Sequence, residues 1–253
     1  MSSVVQAIGS PPDTGIETIK EVMHVFDYIV IGAGSAGCVM AARLAEDHSV
    51  LLIEAGRANP AWDFRLHMPA ALSEVLTSTR YNWAFETEPE PFLGQRNLYC
   101  PRGKVVGGSS SINGMIFVRG HAEDFNRWSE VYGASGWSYE DVLPFFKASE
   151  TKAGGDPDYR GHTGPLKITN GDTSSPLCQA WLEAGETLGF GRTPDFNGET
   201  QEGFGPFDRT VADGLRQSVA RAYLSPKNGL GLSGLTILTQ AEVQHIAFDG
   251  DRA

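Results

Sequence analysis

The sequence is short of cysteine, of positive charge and of long apolar runs, and each shortage removes a class of protein. Three cysteines, Cys38, Cys100 and Cys178, stand far apart among 253 residues. Their number is odd and no C-x-x-C or zinc-type spacing occurs, so neither a disulfide scaffold nor a zinc site is expected, and the thiols read as reduced in a cytoplasmic protein. Lysine and arginine total 20 against 31 aspartates and glutamates, a net charge of −11. That excess of acid argues against nucleic acid or an anionic membrane surface as partner. No run reaches the roughly 18 apolar residues that a membrane span requires. Residues 1–25 lack the apolar core of a secretory signal. Rich in Ser2, Ser3, Ser10, Pro11, Pro12 and Asp13, they are expected to form a mobile extension, with at most a short helix from Thr14 to Met23.

Catalytic constellations are scarce as well. None of the six histidines (His24, His48, His67, His121, His162 and His245) sits in a nucleophile or metal pattern, and no metal site is expected. His48 reads as a turn residue and His245 as part of a strand face. The carboxylates Asp156 and Asp158, and Glu86, Glu88 and Glu90, read as solvated loop faces.

Glycine is what the chain has in excess, 30 of 253 residues, nearly twice ordinary usage. The 41% hydrophobic and 20% charged content is that of a globular protein able to bury a core without disulfides. The glycines concentrate in two stretches. The first is FDYIVIGAGSAGCVMAARLAEDHSVLLIEAG, Phe26 to Gly56. Phe26 to Ile31 is a β-branched and aromatic run, the pattern of a buried parallel strand. Gly32, Gly34 and Gly37 then form G-x-G-x-x-G: one glycine for a tight turn, one to let a pyrophosphate approach the backbone, one for close helix–strand packing. From Ser35 the pattern is helical, with Cys38, Ala41, Ala42 and Ala45 on one face and Arg43 and Asp47 an i,i+4 pair. Val50 to Ile53 is a second strand, ended by Glu54, which lies 22 residues after Gly32. An acid at that distance suits a ribose hydroxyl and argues against a 2′-phosphate. Strand, glycine turn, helix and acid together predict a dinucleotide site. The bland alternative is an ordinary glycine-rich turn. This stretch alone does not separate FAD from NAD.

The second stretch is PRGKVVGGSSSINGMIFVRG, Pro101 to Gly120. A Gly-Gly-Ser-Ser run can turn its N–H groups inward as a cradle for an anion or carbonyl. A linker of the same composition would not be bracketed by Val105-Val106 and Met115 to Val118, so a buried, shaped loop is expected.

With that stretch the chain resembles the glucose–methanol–choline (GMC) flavoprotein oxidoreductases. The resemblance rests on Asp27 to Glu54 together with GKVVGGSSSINGM, Gly103 to Met115. It extends through Val118-Arg119-Gly120, Asp124, Phe125, Trp128, Gly136-Trp137 and Asp141 to Phe146. Further on it includes Gly164 to Leu166, Asp195 to Asn197 and the RQSVARAYLSP run ending at Pro226. It implies FAD rather than NAD. Gly32, Gly34, Ser35, Ala36 and Gly37 would meet the pyrophosphate, and Glu54 and Ala55 the adenosine ribose. Val106, Gly108, Ser109, Asn113, Gly114, Met115 and Ile116 would lie along the ribityl chain and isoalloxazine. Val243, in the last strand, would contact the adenine side through its backbone. Some members link FAD to a histidine immediately before the motif asparagine; here that position is Ile112, so non-covalent FAD is implied. The implied activity is oxidation of a small alcohol by hydride transfer to flavin, with a histidine base expected beyond Ala253 and the electron acceptor left open. Lyase and photodecarboxylase branches share the FAD site, and an inactive flavin-binding fragment is the other alternative.

The fold class expected is α/β. A Rossmann-like FAD-binding domain with a parallel sheet and helices would occupy 26–160 and 216–253, and a mixed-sheet substrate domain would begin at 161–215. Helices at 121–160 are expected to pack on the nucleotide domain through Trp128, Tyr132 and Trp137. Trp83 and Phe85 suggest a strand edge leading into a Pro-rich turn. Pro165 to Thr169 reads as a strand, and Pro176 to Leu188 as a helix with Leu177, Trp181, Ala184 and Leu188 on its apolar face. Gln217 to Leu224 reads as a helix and Leu235 to Phe248 as a strand before an Asp249-Gly250 turn.

Overall fold

The computed structural model describes residues 25–225, 232–248 and 250. The extension expected over residues 1–25 lies outside the described residues, apart from Val25, and so does Asp249 of the expected turn. In chain order the elements begin with β1 (Tyr28–Ile31), α1 (Ser35–Leu44), β2 (Val50–Glu54), α2 (Phe64–His67), α3 (Leu72–Thr77), β3 (Phe85–Glu86) and β4 (Tyr99–Cys100). There follow β5 (Ile116–Phe117), α4 (Ala122–Glu130), α5 (Tyr139–Ser149), β6 (Glu150–Lys152), β7 (Leu166–Asn170) and α6 (Pro176–Thr187). The last are β8 (Asp208–Arg209), β9 (Val211–Ala212), β10 (Leu215–Arg216), α7 (Val219–Tyr223) and β11 (Leu235–Thr239). They form two compact units: the described parts of 1–66, 70–112 and 218–253, and residues 67–69 with 113–217.

The first unit is built on a parallel sheet in the order β1-β2-β11. Tyr28 to Ile31 pair with Val50 to Ile53, and Leu235 to Thr239 pair with Val50 to Glu54. The central strand β2 is buried at every position, which is why it reads as an unbroken apolar run rather than an alternation. Helix α1 lays Cys38, Ala41, Ala42 and Ala45 on the sheet, all of them buried, as the 3.6-residue period requires. The cation on its outer face differs from expectation. Arg43 pairs with Glu46, three residues on, at 3.0 Å, and not with Asp47. Leu52, Val50, Val106 and Ala220 complete this core. A second cluster joins Leu66, Val75, Tyr81, Val105 and Ile112. The expected edge is a hairpin, with Phe85 opposite Cys100 and Trp83 stacked on Phe85 at 5.7 Å. Strand β11 ends at Thr239, so the strand expected to run to Phe248 is shorter, and Val243 lies beyond it.

The second unit carries a mixed four-stranded sheet, β5-β8-β7-β6. Only the β6–β7 pair is parallel. Helices α4 and α5 belong to this unit. Helix α5 starts on a capping box in which Ser138 and Asp141 satisfy each other's backbone N–H, as a Ser three residues before an acid permits. Phe125 joins the two helices, with its ring 5.3 Å from Trp128 and 5.6 Å from Phe146. Trp128 also meets Trp137 at 5.9 Å, yet all three expected anchors, Trp128, Tyr132 and Trp137, are exposed. Helix α6 is present as expected but buries a different face. Leu182 and Gly185 are buried, while Leu177, Trp181 and Leu188 are exposed. Gly185 abuts the ring of Phe204, and that ring also meets the exposed Trp181 at 5.9 Å.

At the heart of this unit is a buried knot of charge. Arg160 donates to Glu150 at 2.8 and 3.1 Å, to Asp195 at 2.7 Å and to Asp208 at 2.6 Å. Arg119 reaches the same Glu150 at 2.9 Å, and Lys152 reaches Asp208 at 2.9 Å. Three cations thus meet three carboxylates. Burial alone would lower the Arg160 guanidinium, but its bonds to Glu150, Asp195 and Asp208 outweigh that and leave it raised.

Candidate functional site

In the first unit the two glycine-rich stretches meet backbone to backbone. Gly32 turns the chain out of β1 at φ +90°, its N–H donating to Ile53 O at 2.7 Å. A side chain on Gly37 would overlap the Gly32 carbonyl, so helix and strand pack as closely as the spacing implied. Gly107 N–H donates to Ala33 O at 2.7 Å, and a Cβ on Gly108 would lie 2.7 Å from Gly34 Cα. The second loop is therefore seated on the first turn. It is folded as a short 3₁₀ turn, Gly108–Ser111.

The three serines are absorbed in holding that turn. Ser109 Oγ accepts from Gly103 N–H at 3.1 Å. Ser110 Oγ donates to Gly107 O at 2.6 Å and accepts from Val219 N–H at 2.9 Å, tying the loop to α7. Ser111 Oγ donates to Val106 O at 3.0 Å and accepts from Asn59 Nδ2 at 3.1 Å. Val106 itself is buried, its N–H donating to Arg57 O at 2.9 Å.

Helix α1 begins at this junction. Its N-cap is Gly34, which supplies no capping side chain, and its first turn holds no acidic residue. The N–H groups of the first turn of a helix lack intrahelical acceptors and carry the positive end of the macrodipole. Gly34 faces open space, since a Cβ there would meet no protein atom within 4 Å. Ser35 and Ala36 beside it are exposed. A helix start without a cap, and a glycine opening onto space, form a cradle that fits a dinucleotide pyrophosphate.

Glu54 lies at the same end of the sheet but is more deeply engaged than the sequence suggested. It is buried, with Oε2 accepting from Ala33 N–H and Oε1 from Gly56 N–H, both at 2.8 Å. The carboxylate thus pins the glycine turn to the end of β2. Each oxygen keeps a further lone pair with which it can accept from a ribose hydroxyl. Ala55 follows it half-buried. Past β11, Ala241 N–H donates to Glu54 O at 3.0 Å, and Val243 lies half-buried two residues on.

The remaining expected residues lie in the second unit. Asn113, Gly114 and Ile116 are exposed while Met115 is buried. Met115 adopts φ +62°, with its N–H donating to Asn113 Oδ1 at 3.0 Å. Ile112, at the position where a histidine would carry a covalent link, is buried against Leu66, Val75, Tyr81 and Val105.

Sequence reasoning missed two groups. Asn59 and Arg57 brace the second loop, and Arg216 holds Asn113; only Arg216 had a signal, standing inside the RQSVAR run. The second unit also has an open cavity of about 600 Å³, lined by Arg119, His121, Tyr139, Tyr159 and Phe196 among others; none of the expected cofactor residues lines it. Among the described histidines, His121 caps α4, its Nδ1 accepting from Glu123 N–H at 3.2 Å, and His162 Nδ1 bonds Lys152 O at 2.8 Å. His48 packs edge-on against Tyr28 at 5.0 Å, and His245 is exposed and outside any strand. Among the described residues no three His, Cys, Asp or Glu side chains could hold a metal ion, and no helix is long and apolar enough to cross a membrane.

Comparison with known proteins places this geometry. Residues 26–253 match the family model described as GMC oxidoreductase. The chain belongs to the GMC oxidoreductase family. Among its GMC relatives is the oxygen-dependent choline dehydrogenase of Escherichia coli (strain SMS-3-5), 52% identical over 232 residues, covering 90% of this chain and 41% of that protein. Pyridoxine 4-oxidase from Mesorbium loti has a similar structure, with TM-score 0.78 and 36% identity over 85% of this chain and 42% of that one. An FAD-dependent oxidoreductase from Chaetomium thermophilum gives TM-score 0.71 and 26% identity over 84% of this chain and 38% of that one. The chain thus spans about two fifths of the length of the GMC relatives it matches.

Proposed function

We propose that this chain binds FAD non-covalently and supplies the dinucleotide-binding part of an enzyme that oxidises a small alcohol to an aldehyde or ketone. The observation that carries the reading is the seating of the Gly103–Ser111 loop on the Gly32–Gly37 turn, with Gly34 and the first turn of α1 left open beside it. Membership of the GMC family and the FAD-dependent structural neighbour support FAD over a nicotinamide. The choline dehydrogenase relative supports a choline-like alcohol as substrate.

FAD, when bound, supplies a two-electron acceptor for a hydride. The chain's residues do the holding. The N–H groups of Ser35, Ala36 and Gly37, at the positive end of α1, would hold the pyrophosphate. Glu54 fixes the glycine turn through Ala33 and Gly56 and offers its remaining lone pairs to the ribose. Val243 is assigned to the adenine side. Val106, Gly108 and Ser109, and separately Asn113, Gly114, Met115 and Ile116, are assigned to the ribityl chain and ring. Ile112 carries no nucleophile and its side chain is spent in an apolar cluster, which supports the absence of a covalent link. Proton removal from an alcohol needs a base within hydrogen-bond reach. His121 and His162 have structural bonds of their own, so we assign the base to no residue of this chain.

The test uses the full-length protein. It should purify yellow, and anaerobic addition of choline or a related primary alcohol should bleach the flavin absorbance. A yellow protein that no alcohol bleaches would overturn the alcohol reading; a colourless protein that binds NADH tightly would overturn FAD.

A further inference from the structure

Arg216, at the end of β10, is 1% exposed. Its Nη1 donates to Asn113 O at 2.6 Å and to Asn113 Oδ1 at 2.9 Å. The same Oδ1 accepts from Met115 N–H at 3.0 Å. Met115 O in turn accepts from Thr210 N–H at 2.9 Å, and Thr210 O accepts from Gln217 N–H at 2.8 Å. The bonds therefore run from Arg216 through Asn113, Met115 and Thr210 back to the residue after Arg216. Within this circuit Met115 sits at φ +62°, a region that a side chain with a Cβ adopts only when its surroundings hold it there.

The circuit also settles which way the Asn113 amide points. A guanidinium and a backbone N–H can only donate, so the atom that both address is the amide oxygen. The oxygen is spent inward on two donors. The NH₂ of Asn113, an exposed residue, is left as the outward group. Burial brings Arg216 down to about 10, so it stays a cation at neutral pH and the clamp persists.

We propose that Arg216 is a positioning residue for the flavin: by holding the Asn113 carbonyl inward it presents the Asn113 NH₂ to the cofactor as a hydrogen-bond donor. The inference rests on the FAD reading above and adds a chemical consequence to it. Reduction places negative charge on the flavin ring, and a fixed donor stabilises that charge. Arg216 thereby favours the reduced cofactor without touching it.

The experiment is Arg216→Met and Arg216→Lys in the full-length holoenzyme, with visible flavin spectrum and midpoint potential as readouts. Released from Arg216, the Asn113 amide can rotate and the donor is lost. Arg216→Met should perturb the flavin spectrum and lower the potential. A hydrogen bond to a charged group corresponds to about tenfold or more in the reduction equilibrium. Arg216→Lys, which can still donate to Asn113, should lie between Met and wild type. If Arg216→Met does not fold, Met115→Gly is added to it, because glycine takes φ +62° without strain; the double variant should fold and show a potential below that of Met115→Gly alone. Wild-type potential and spectrum in a folded, yellow Arg216→Met protein, or a double variant with the potential of Met115→Gly alone, would overturn this inference alone. A colourless wild-type protein would overturn the FAD reading with it.

Discussion

Arg160 and Glu150 are both shut off from solvent and meet through two nearly parallel bonds, Nε to Oε1 at 2.8 Å and Nη2 to Oε2 at 3.1 Å. Removing either partner upsets the balance of three cations and three carboxylates and leaves one charge of the knot in excess. Arg160→Met and Glu150→Gln are each expected to cost about 3–5 kcal/mol, read by denaturant unfolding. A loss under about 1 kcal/mol for both would show that the knot relaxes freely.

The glycines separate folding from binding. A side chain at Gly37 collides with the Gly32 carbonyl, whereas one at Gly34 meets no protein atom. Gly37→Ala should therefore lower the melting temperature with or without flavin. Gly34→Ala should melt close to wild type when stripped of flavin yet retain little cofactor, because its methyl takes the pyrophosphate's place. Equal flavin content in wild type and Gly34→Ala would contradict this.

Glu54 offers a similar separation. Its two bonds to Ala33 and Gly56 belong to the protein, not to the cofactor. Glu54→Ala leaves two N–H groups without that acceptor and should cost roughly 1–3 kcal/mol in the flavin-stripped protein. An acid that served only the ribose would leave flavin-free stability unchanged.

These cases show what the sequence could and could not convey. The β1-α1-β2 unit was legible because its glycines, its alanine face and its acid stand at spacings that backbone geometry dictates. The partner of Arg43 was not, since positions three and four residues along are both within reach and rotamers decide. The buried face of α6 was misread because period alone marks Leu177, Trp181 and Leu188 as one stripe, while Phe204, distant in sequence, packs on Gly185. The meeting of Arg119, Glu150, Lys152, Arg160, Asp195 and Asp208 was not legible, since no local pattern announces that six separated residues converge. Of the candidate site, the glycine positions were readable. The inward turn of the Asn113 amide depends on a residue 103 positions away.

Cys38 should resist chemistry that its neighbours in type accept. It is fully buried, its Sγ donating to Ala33 O at 3.1 Å, and burial pushes the thiol up to about 12. Cys100 and Cys178 are half-buried. At pH 8 iodoacetamide should label those two and spare Cys38 until the protein unfolds. The sign of the pH effect follows. A raised pKa favours the folded state below the thiol's ordinary value of 9.0, and that contribution fades as pH rises toward about 12. Modification of Cys38 in the native protein would refute the assignment.

Acid precipitation of the holoenzyme should leave the yellow colour in the supernatant, because Ile112 packs into the cluster around Tyr81 and Val105 and offers no atom for a flavin bond. Colour that stays in a washed pellet would require an attachment elsewhere.

The uncapped start of α1 has a practical consequence. A helix end with no side-chain acceptor of its own draws one from the medium, and phosphate groups suit it in shape and charge. Inorganic pyrophosphate and ADP should therefore compete for the flavin-stripped protein, slowing its reconstitution with FAD in proportion to their concentration. A purification run in phosphate buffer would then understate how readily this chain takes up its cofactor.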